Sequence, residues 1–245
     1  MNPEFRIEIS DLGEAKQRQE IFFGFDRLAA SQTLELILNA SADLECFLAE
    51  FQDRYGQGFD WWPLGNRSHA SSVLIAKRTT EPRTISAFLG NDHHRLTERW
   101  DGFVEAVKVC EQSYENLFTA EKGHRMSTID GLSQFIFGLR RHIRMEEEYF
   151  FPLFEDRSRT PPGSGPTAVM RAEHQEIEAV LRELDKLFDG GDCANIIQAI
   201  EVRPVHPSEL FHNHDAKEEA MLYPMADRLF TQKEKDDLCL KMQTV

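Results

Sequence analysis

Two stretches of this chain carry the same chemically active residues at the same spacing. In each, a histidine is followed by glutamates four and five positions later, by an aromatic residue at the ninth position and by a proline at the tenth. The stretches begin at His142 and His214. A residue at i+4 lies one turn along the same helix face, so each His-x-x-x-Glu can bring one nitrogen and one oxygen to a shared point. The pattern indicates a metal site built on helices.

Two further histidines, His93 and His174, occupy related places, and each follows an acidic residue. All four histidines lie on apolar stripes with helical spacing, which predicts that they point into the protein. The predicted inward stripes are Leu89, His93, Leu96, Trp100, Phe103, Val107 and Cys110; Phe135, Leu139, His142, Glu146, Tyr149 and Leu153; Met170, His174, Ile177, Leu181, Leu184 and Phe188; and Phe211, His214, Glu218, Met221 and Met225.

The inward glutamates, Glu146 and Glu218, need compensation, because a buried carboxylate is costly unless it is paired or bound to a cation. A pocket of four imidazoles and two carboxylates suits two metal ions with the carboxylates as bridges. Mixed nitrogen and oxygen donors favour iron, manganese or zinc, and such ligands inside a four-helix bundle are typical of di-iron proteins. The remaining histidines of this region are predicted to lie at the surface: His94, His124, His206 and His212.

Helices must position these residues. The pattern predicts an antiparallel four-helix bundle, because short breaks join long helices, and folding at the breaks brings the four histidines to one height. Residues 193–203 also have a helical pattern, which Pro204 and Pro207 interrupt. A last helix opens with Thr231-x-x-Glu234, a capping-box pattern. The predicted helices cover 84–119, 127–156, 166–188, about 207–228 and about 232–243, with breaks at 121–123, 159–166 and 189–192.

The first 80 residues predict a different architecture, a small α+β domain in the order βαβαββ. Alternating or short apolar runs indicate the strands, and a polar tract at 78–83 reads as a linker. The chain is therefore mainly α, with domains over 1–80 and 84–230 and a C-terminal helix over 231–245. The predicted strands are 5–9, 33–38, 59–62 and 73–76, the helices 14–28 and 43–55, and a turn 63–66.

Composition excludes several classes of protein. The 245 residues carry a net charge of -14, from 28 basic and 42 acidic side chains, which disfavours binding to nucleic acid or to anionic lipid. No apolar run reaches the length of a membrane span, and the first residues lack the pattern of a secretory signal. The four cysteines are isolated, which is typical of a reducing compartment. We therefore expect a cytoplasmic protein.

Residues of about 85–228 resemble the hemerythrin-like HHE cation-binding family. The shared features are Asp92-His93-x-x-Leu96, Glu173-His174, and the two His-x-x-x-Glu-Glu stretches with their aromatic-proline pairs. The resemblance implies two iron ions in an oxo- or hydroxo-bridged di-iron centre. It implies His93, His142, His174 and His214 as terminal ligands and Glu146 and Glu218 as bridges. Family members bind or sense oxygen or nitric oxide, handle iron, or repair iron-sulfur clusters.

The oxygen-carrying hemerythrins place a further histidine where this chain has Glu178, and they use His-x-x-x-x-Asp on the fourth helix. The four histidines and two glutamates of this chain are more similar to the ligands of the family's sensing and cluster-repair branch. We therefore expect a protein that binds or senses oxygen or nitric oxide. The alternatives are a di-iron enzyme (peroxidase-like, nitric-oxide-reducing or iron-oxidising) and a protein of cluster repair or iron handling. Glu173 and Glu178 are candidate hydrogen-bond partners of the ligands, although Glu178 could instead pair with Arg182.

Residues of about 4–78 resemble, more weakly, the small domain with the sulfur-carrier (TusA-like) fold. Sulfur carriers place a Cys-Pro pair just after the first strand, where this chain has Leu-Gly-Glu-Ala at 12–15. The difference favours an interaction with a protein partner over transfer of sulfur. The cluster-repair proteins carry paired cysteines in an N-terminal domain, whereas the first 80 residues here contain Cys46 alone.

Overall fold

The computed structural model of the protein describes residues 5–8, 14–30, 32–39, 44–55, 58–67, 70–78, 82–112, 122–190, 207–243 and 245. The chain divides into two units, residues 1–82 and residues 83–245. The first unit contains a sheet with two helices, and the second unit is helical wherever it has regular structure in the described ranges.

The first unit has the predicted order of strand, helix, strand, helix, strand and strand. Its sheet has the strand order β1-β2-β4-β3, in which β1 and β2 are parallel and the other neighbours are antiparallel. The elements are β1 (Phe5–Glu8), α1 (Glu14–Asp26), β2 (Thr33–Asn39), α2 (Leu44–Tyr55), β3 (Phe59–Arg67) and β4 (Ala70–Lys77).

The core of this unit lies between the sheet and its helices. Alternate residues of β2, Leu34, Leu36 and Leu38, share one face and pack against aromatic residues of the helices such as Phe25 and Phe51. Because side chains of a strand alternate between its faces, this spacing directs every second residue of β2 into the core.

The predicted turn at 63–66 is wrong, since these residues lie within β3. The strand pairs with β4 on both sides of this segment, with an irregular register between Pro63 and Gly65. Proline lacks the N–H that a central strand needs, but β3 is at the edge of the sheet, where proline is tolerated. Turn-forming residues therefore mark a bulge here and not the end of the strand.

The second unit contains the long helices. Two of them are continued through a π-helical turn, in which the helix widens by one residue. The elements are α3 (Ile85–Gln112), α4 (Lys122–Met145) with a first π turn (Glu146–Phe150) and α5 (Phe151–Ser158), α6 (Gly165–Gly190), α7 (Pro207–Lys217) with a second π turn (Glu218–Leu222) and α8 (Tyr223–Leu229), and α9 (Gln232–Gln243).

Contacts show that α3 and α4 run in opposite directions. Trp100 of α3 packs on Phe135 of α4, and about two turns further along each helix His93 meets His142. The predicted break at 121–123 is partly wrong, because α4 already begins at Lys122. The predicted end of the first helix at 119 and the helical pattern at 193–203 lie outside the described residues.

The π turns shift the inward stripes that the sequence predicts. Each turn inserts one extra residue, so the positions that follow rotate relative to an ideal α-helix. The predicted inward residues Tyr149 and Leu153 are only half-buried, whereas Phe150 and Phe154 are fully buried. In the second turn the same shift leaves Met221 exposed, although the stripe predicts that it is buried. The residues buried instead are Leu222, Tyr223 and Ala226.

Polar contacts fix the ends of the helices. The Asp227 carboxylate in α8 accepts hydrogen bonds from the backbone N–H groups of Ile85 and Ser86, at 2.6 and 3.1 Å, which satisfies free donors at the start of α3. The predicted capping box is confirmed, because Glu234 accepts from the Thr231 N–H at 2.8 Å and donates its own N–H to the Thr231 hydroxyl.

None of the helices in the described part of the chain combines the length and the apolar character that crossing a membrane requires.

Candidate metal centre

Four histidines from four helices meet inside the second unit. Each is at most 2% exposed. The Nε2 atoms of His93 and His142 are 2.9 Å apart, and those of His174 and His214 are 3.2 Å apart. The rings therefore form two pairs, and within each pair the Nε2 atoms face each other. The histidines are His93 of α3, His142 of α4, His174 of α6 and His214 of α7.

Two fully buried glutamates lie between these pairs. Glu146 Oε2 is 3.6 Å from His142 Nε2 and 3.2 Å from His174 Nε2, so one carboxylate reaches a histidine of each pair. Glu218 makes the equivalent contacts with one histidine of each pair, at 3.3 and 3.4 Å. Both glutamates are 0% exposed. The six residues that the spacing singled out thus lie together.

The two π turns present these glutamates. Glu146 is the first residue of the first π turn, and its carbonyl accepts a hydrogen bond from the Phe151 N–H five residues later. Pro152 follows at once, and its lack of an N–H costs little where the α-helical pattern is already interrupted. The second turn has the same arrangement from Glu218 to Pro224. The proline ten residues after each histidine is therefore the sequence signal of the π turn.

A carboxylate holds the outer nitrogen of each of these four histidines. Since a carboxylate can only accept, each Nδ1 carries the hydrogen, and a neutral ring then offers the Nε2 lone pair to the interior. Such partners orient metal-binding histidines and raise their basicity. The Nδ1–oxygen distances are 3.0 Å for His93 with Glu219, 3.0 Å for His142 with Asp92, 2.9 Å for His174 with Glu147 and 3.1 Å for His214 with Glu173.

The predicted partner Glu173 lies in this outer set, where Lys217 also contacts it. The other three partners were not predicted from the sequence, namely Asp92, Glu147 and Glu219. A signal was present, because each outer carboxylate adjoins a candidate ligand in the sequence. On a helix the next residue is rotated by about 100°, so it leaves the inward stripe and faces the neighbouring helix.

Tyr223 lies fully buried in the centre of the site, a place that was not predicted from the sequence. Its phenol oxygen is 2.7 Å from Glu146 Oε1 and 2.9 Å from Glu218 Oε2. The same oxygen is 3.1 Å from His93 Nε2 and 3.4 Å from His142 Nε2. The signal for this residue was the aromatic position nine residues after each repeat histidine.

In the protein alone, the pKa values of Glu146 and His174 favour the charged form of both groups. Burial opposes the charged form of Glu146, but the charges of His142, His174 and His214 outweigh it and lower the pKa of Glu146 to about 2. Burial likewise opposes protonation of His174, but Glu146 beside it raises its pKa to about 9. In the absence of a cation a proton therefore occupies His174, and a metal must displace it.

Within the site, two of the described buried carboxylate oxygens lack a hydrogen-bond partner, Glu146 Oε2 and Glu218 Oε1. An unsatisfied buried carboxylate oxygen is costly, and a cation would satisfy it. Two groups have donor atoms within 4.8 Å of one another, namely Glu146, His174, His214 and Glu218, and His93, His142 and Glu218. The donor set of imidazoles and carboxylates fits iron, manganese or zinc.

Glu178 has a different partner from the two that the sequence suggested. Its carboxylate accepts two hydrogen bonds from Arg140 of α4, at 3.0 and 3.1 Å. Among the described residues, neither Arg182 nor a histidine forms a hydrogen bond with it. Arg140 also contacts Asp185 at 3.0 Å. Glu178, Arg140 and His174 line one surface cleft of about 500 Å³. Glu178 therefore belongs to the wall of a cleft that reaches the outer side of the site.

His94 and His212, which lie off the inward stripes, are at the surface as predicted. His94 is exposed and pairs with Glu98 at 3.4 Å, and the exposed His212 bonds to its own helix through the Ser208 carbonyl at 2.8 Å. The prediction for His206 lies outside the described residues, as does the side chain of His124.

Comparison with known proteins gives one match. The family model described as the hemerythrin HHE cation binding domain matches residues 84–226, which is more than half of the chain and includes all six residues of the site. The match leaves out the first 83 residues, so the expected likeness of that region to sulfur carriers has no support from it. No curated protein and no solved structure matches the chain.

Proposed function

Because this chain belongs to the hemerythrin HHE cation-binding family, we propose that its buried site holds two iron ions and binds or senses oxygen or nitric oxide. Metal binding is the property of the family domain. The proposal adds the number of ions, their identity as iron and the gaseous ligand.

The observation that carries the proposal is the arrangement of two histidine pairs with a carboxylate reaching from one pair to the other. A single metal ion would need one cluster of donors, whereas here His93 and His142 form one pair and His174 and His214 another. Glu146 and Glu218 each approach both pairs. Two neighbouring cations would share the negative charge of these two carboxylates.

The outer carboxylates prepare the site for this role. With Asp92, Glu147, Glu173 and Glu219 on the Nδ1 atoms, the histidine rings are held with Nε2 inward before a metal arrives. A preorganised ring loses little freedom on binding, and its partner raises its donor strength. Iron, once bound, would supply the electrons that uptake of oxygen or nitric oxide requires.

Apolar layers on both sides keep bulk water from the site. Towards one end of the bundle lies a cluster that includes Trp100, Phe135 and Leu181. On the other side Phe150 and Phe154 are fully buried near Tyr223. Residues with 0–2% exposure at the centre suit a ligand as small as a diatomic gas. The cleft beside His174 would provide the route from the surface.

A second candidate function is a di-iron enzyme that turns over peroxide or nitric oxide. One observation favours it, the phenol of Tyr223 within hydrogen-bond distance of both central glutamates. A hydroxyl in that place could deliver a proton to a substrate atom at the site. Catalytic consumption of peroxide or nitric oxide by the iron-loaded protein would favour this candidate over simple binding.

The role of the first unit is part of the same proposal. Its first described helix, α1, leaves Phe23 58% exposed, and an exposed aromatic ring is a usual feature of protein-binding surfaces. We propose that this unit communicates the state of the metal site to a protein partner.

The test is to load the whole chain with ferrous iron without air, measure the metal content, and record absorption spectra before and after oxygen or nitric oxide. We expect two irons per chain and a spectral change with one of the gases. His142→Ala should lower the metal content sharply, because it removes a buried nitrogen donor. His94→Ala, the matched control, removes an exposed histidine and should keep both irons. Equal metal content in the two variants would contradict the assigned site.

A further inference from the structure

Tyr223 presents one O–H group to two carboxylates. Its oxygen is 2.7 Å from Glu146 Oε1 and 2.9 Å from Glu218 Oε2. A phenol has a single hydrogen, so it can donate to one of these oxygens only. The other carboxylate oxygen then faces the phenol lone pairs at hydrogen-bond distance inside a buried site, which is repulsive unless a positive centre lies between them. The crowding of oxygens indicates a cation at this place.

The surroundings of the phenol oxygen have the dimensions of a coordination shell. Donors about 2.0–2.1 Å from a metal lie about 3 Å apart when they meet at right angles. The phenol oxygen is 3.1 Å from His93 Nε2 and 3.4 Å from His142 Nε2. These two nitrogens are 2.9 Å apart, and His93 Nε2 is 3.3 Å from Glu218 Oε2. The phenol oxygen therefore occupies a corner of the same polyhedron as the two histidines.

The other half of the site offers no such oxygen at the related position. Phe151 holds the place nine residues after His142 that Tyr223 holds nine residues after His214. The Phe151 ring is fully buried and stacks on His174, with centroids 5.7 Å apart and planes 9° apart. A phenyl ring cannot donate an oxygen to a metal. The internal repeat is thus broken at this one pair of residues inside the site.

We propose that Tyr223 is a ligand of the metal held by His93 and His142, and that the two metal positions are chemically different for this reason. This inference rests on the proposed function, since it requires a metal at the site. On binding, the phenol O–H bond breaks, an oxygen–metal bond forms, and the proton leaves to solvent. The metal held by His174 and His214 has the apolar ring of Phe151 in the related place.

The test uses the whole chain loaded with ferric iron. A phenolate bound to ferric iron gives a charge-transfer absorption in the visible range, and resonance Raman spectra excited in that band show the vibrations of the phenolate ring. We expect both signals in the wild type. Tyr223→Phe should lose both while its far-ultraviolet circular dichroism is unchanged. Tyr149→Phe, which alters a half-buried tyrosine of the first π turn, is the matched control and should keep both signals.

A second variant tests the asymmetry without depending on the folding of Tyr223→Phe. Phe151→Tyr places a phenol in the related position of the other half, and we expect it to strengthen the band, because a second ferric ion gains a phenolate.

Resonance Raman on wild-type protein with ring-deuterated tyrosine is independent of any variant, and the phenolate bands should shift. Two bound irons without phenolate vibrations would overturn the tyrosine ligand alone. Absence of bound metal would overturn the proposed function and this inference with it.

Discussion

At the scale of single residues, each histidine of the site depends on a partner that comes from another helix. His142 of α4 is held by Asp92 of α3, and His174 of α6 is held by Glu147, which follows α4. Asp92 is itself fixed by Arg95 at 3.1 Å. Burial works against the ionised form of Asp92, but the His142 hydrogen bond and the Arg95 charge keep its pKa well below the ordinary range. The carboxylate therefore stays charged at any physiological pH.

Removing one of these outer carboxylates should weaken metal binding without removing a ligand. For Asp92→Ala we expect a loss of affinity of about 10–100-fold, because the His142 ring is free to turn its Nε2 away. Competition titration of the metal-free chain with Co²⁺ or Zn²⁺ measures the effect. Glu98→Ala is the control, since its partner His94 is exposed. An unchanged affinity in Asp92→Ala would show that packing alone orients the ring.

His174 also predicts opposite pH dependences for the stability of the metal-free chain and for its metal affinity. The pKa of His174 rises from 6.5 to about 9 in the folded chain, so its contribution to stability is complete below pH 6.5 and is lost as pH rises through 9. The loss is about 3 kcal/mol at most. Metal binding displaces the same proton, so metal affinity should rise over the same interval.

Urea unfolding of the metal-free chain at pH 6 and pH 9 measures the first effect, and metal titration at both pH values measures the second. In His174→Ala the free energy of unfolding should depend less on pH. A metal-free wild type that is equally stable at pH 6 and pH 9 would rule out a protonated His174.

At the scale of elements, the π turns decide which residues enter the core. A stripe with i+3 and i+4 steps predicts Tyr149, but the first π turn buries Phe150 in its place. Phe150→Ala should lower the free energy of unfolding by about 3–5 kcal/mol. Tyr149→Ala, at the adjacent and half-buried position, should cost clearly less. Urea denaturation of the metal-free variants measures both. A larger loss for Tyr149→Ala would indicate a continuous α-helix through this segment.

The repeated spacing was sufficient to bring the six central residues together, because i and i+4 share a helix face whether or not a π turn follows. The π turns themselves were not predictable from hydrophobic periodicity, since one inserted residue changes the stripe only after the glutamate.

The outer carboxylates were missed because a residue beside the stripe looks solvent-facing on a single helix. They are Asp92, Glu147 and Glu219. Their role depends on the neighbouring helix, which a sequence pattern for one helix does not contain. Residues 63–66 were misjudged for a similar reason, since the edge position of β3 is a property of the sheet.

At the scale of the whole molecule, every proposed ligand lies in the second unit, residues 83–245. This unit has its own buried core, with residues such as Trp100, Phe135 and Phe150. We therefore expect a fragment of residues 83–245 to bind the same number of metal ions as the whole chain and to give the same spectra. Metal analysis and absorption spectra of the two proteins make the comparison.

An altered spectrum in the fragment would show that the first unit shapes the site directly. The same spectrum would leave the first unit available for contact with a partner, as proposed above. In either case the comparison separates the chemistry of the helices from the role of the sheet.

The hydrogen bonds between the two halves of the helical unit bear on how the unit evolved. One half contains α3 and α4 with the first π turn, and the other contains α6 and α7 with the second π turn. Within each half, one carboxylate serves its own histidine, and another serves a histidine of the other half. One half alone lacks the carboxylate partner for one of its two histidines. Two copies of a half related by a two-fold axis would supply the missing partner to each other, as the subunits of an isologous dimer do. The unit thus has the form of such a dimer fused into one chain. In a dimer every substitution occurs twice, whereas fused copies can diverge, and Phe151 and Tyr223 are a pair at which they have done so within the site.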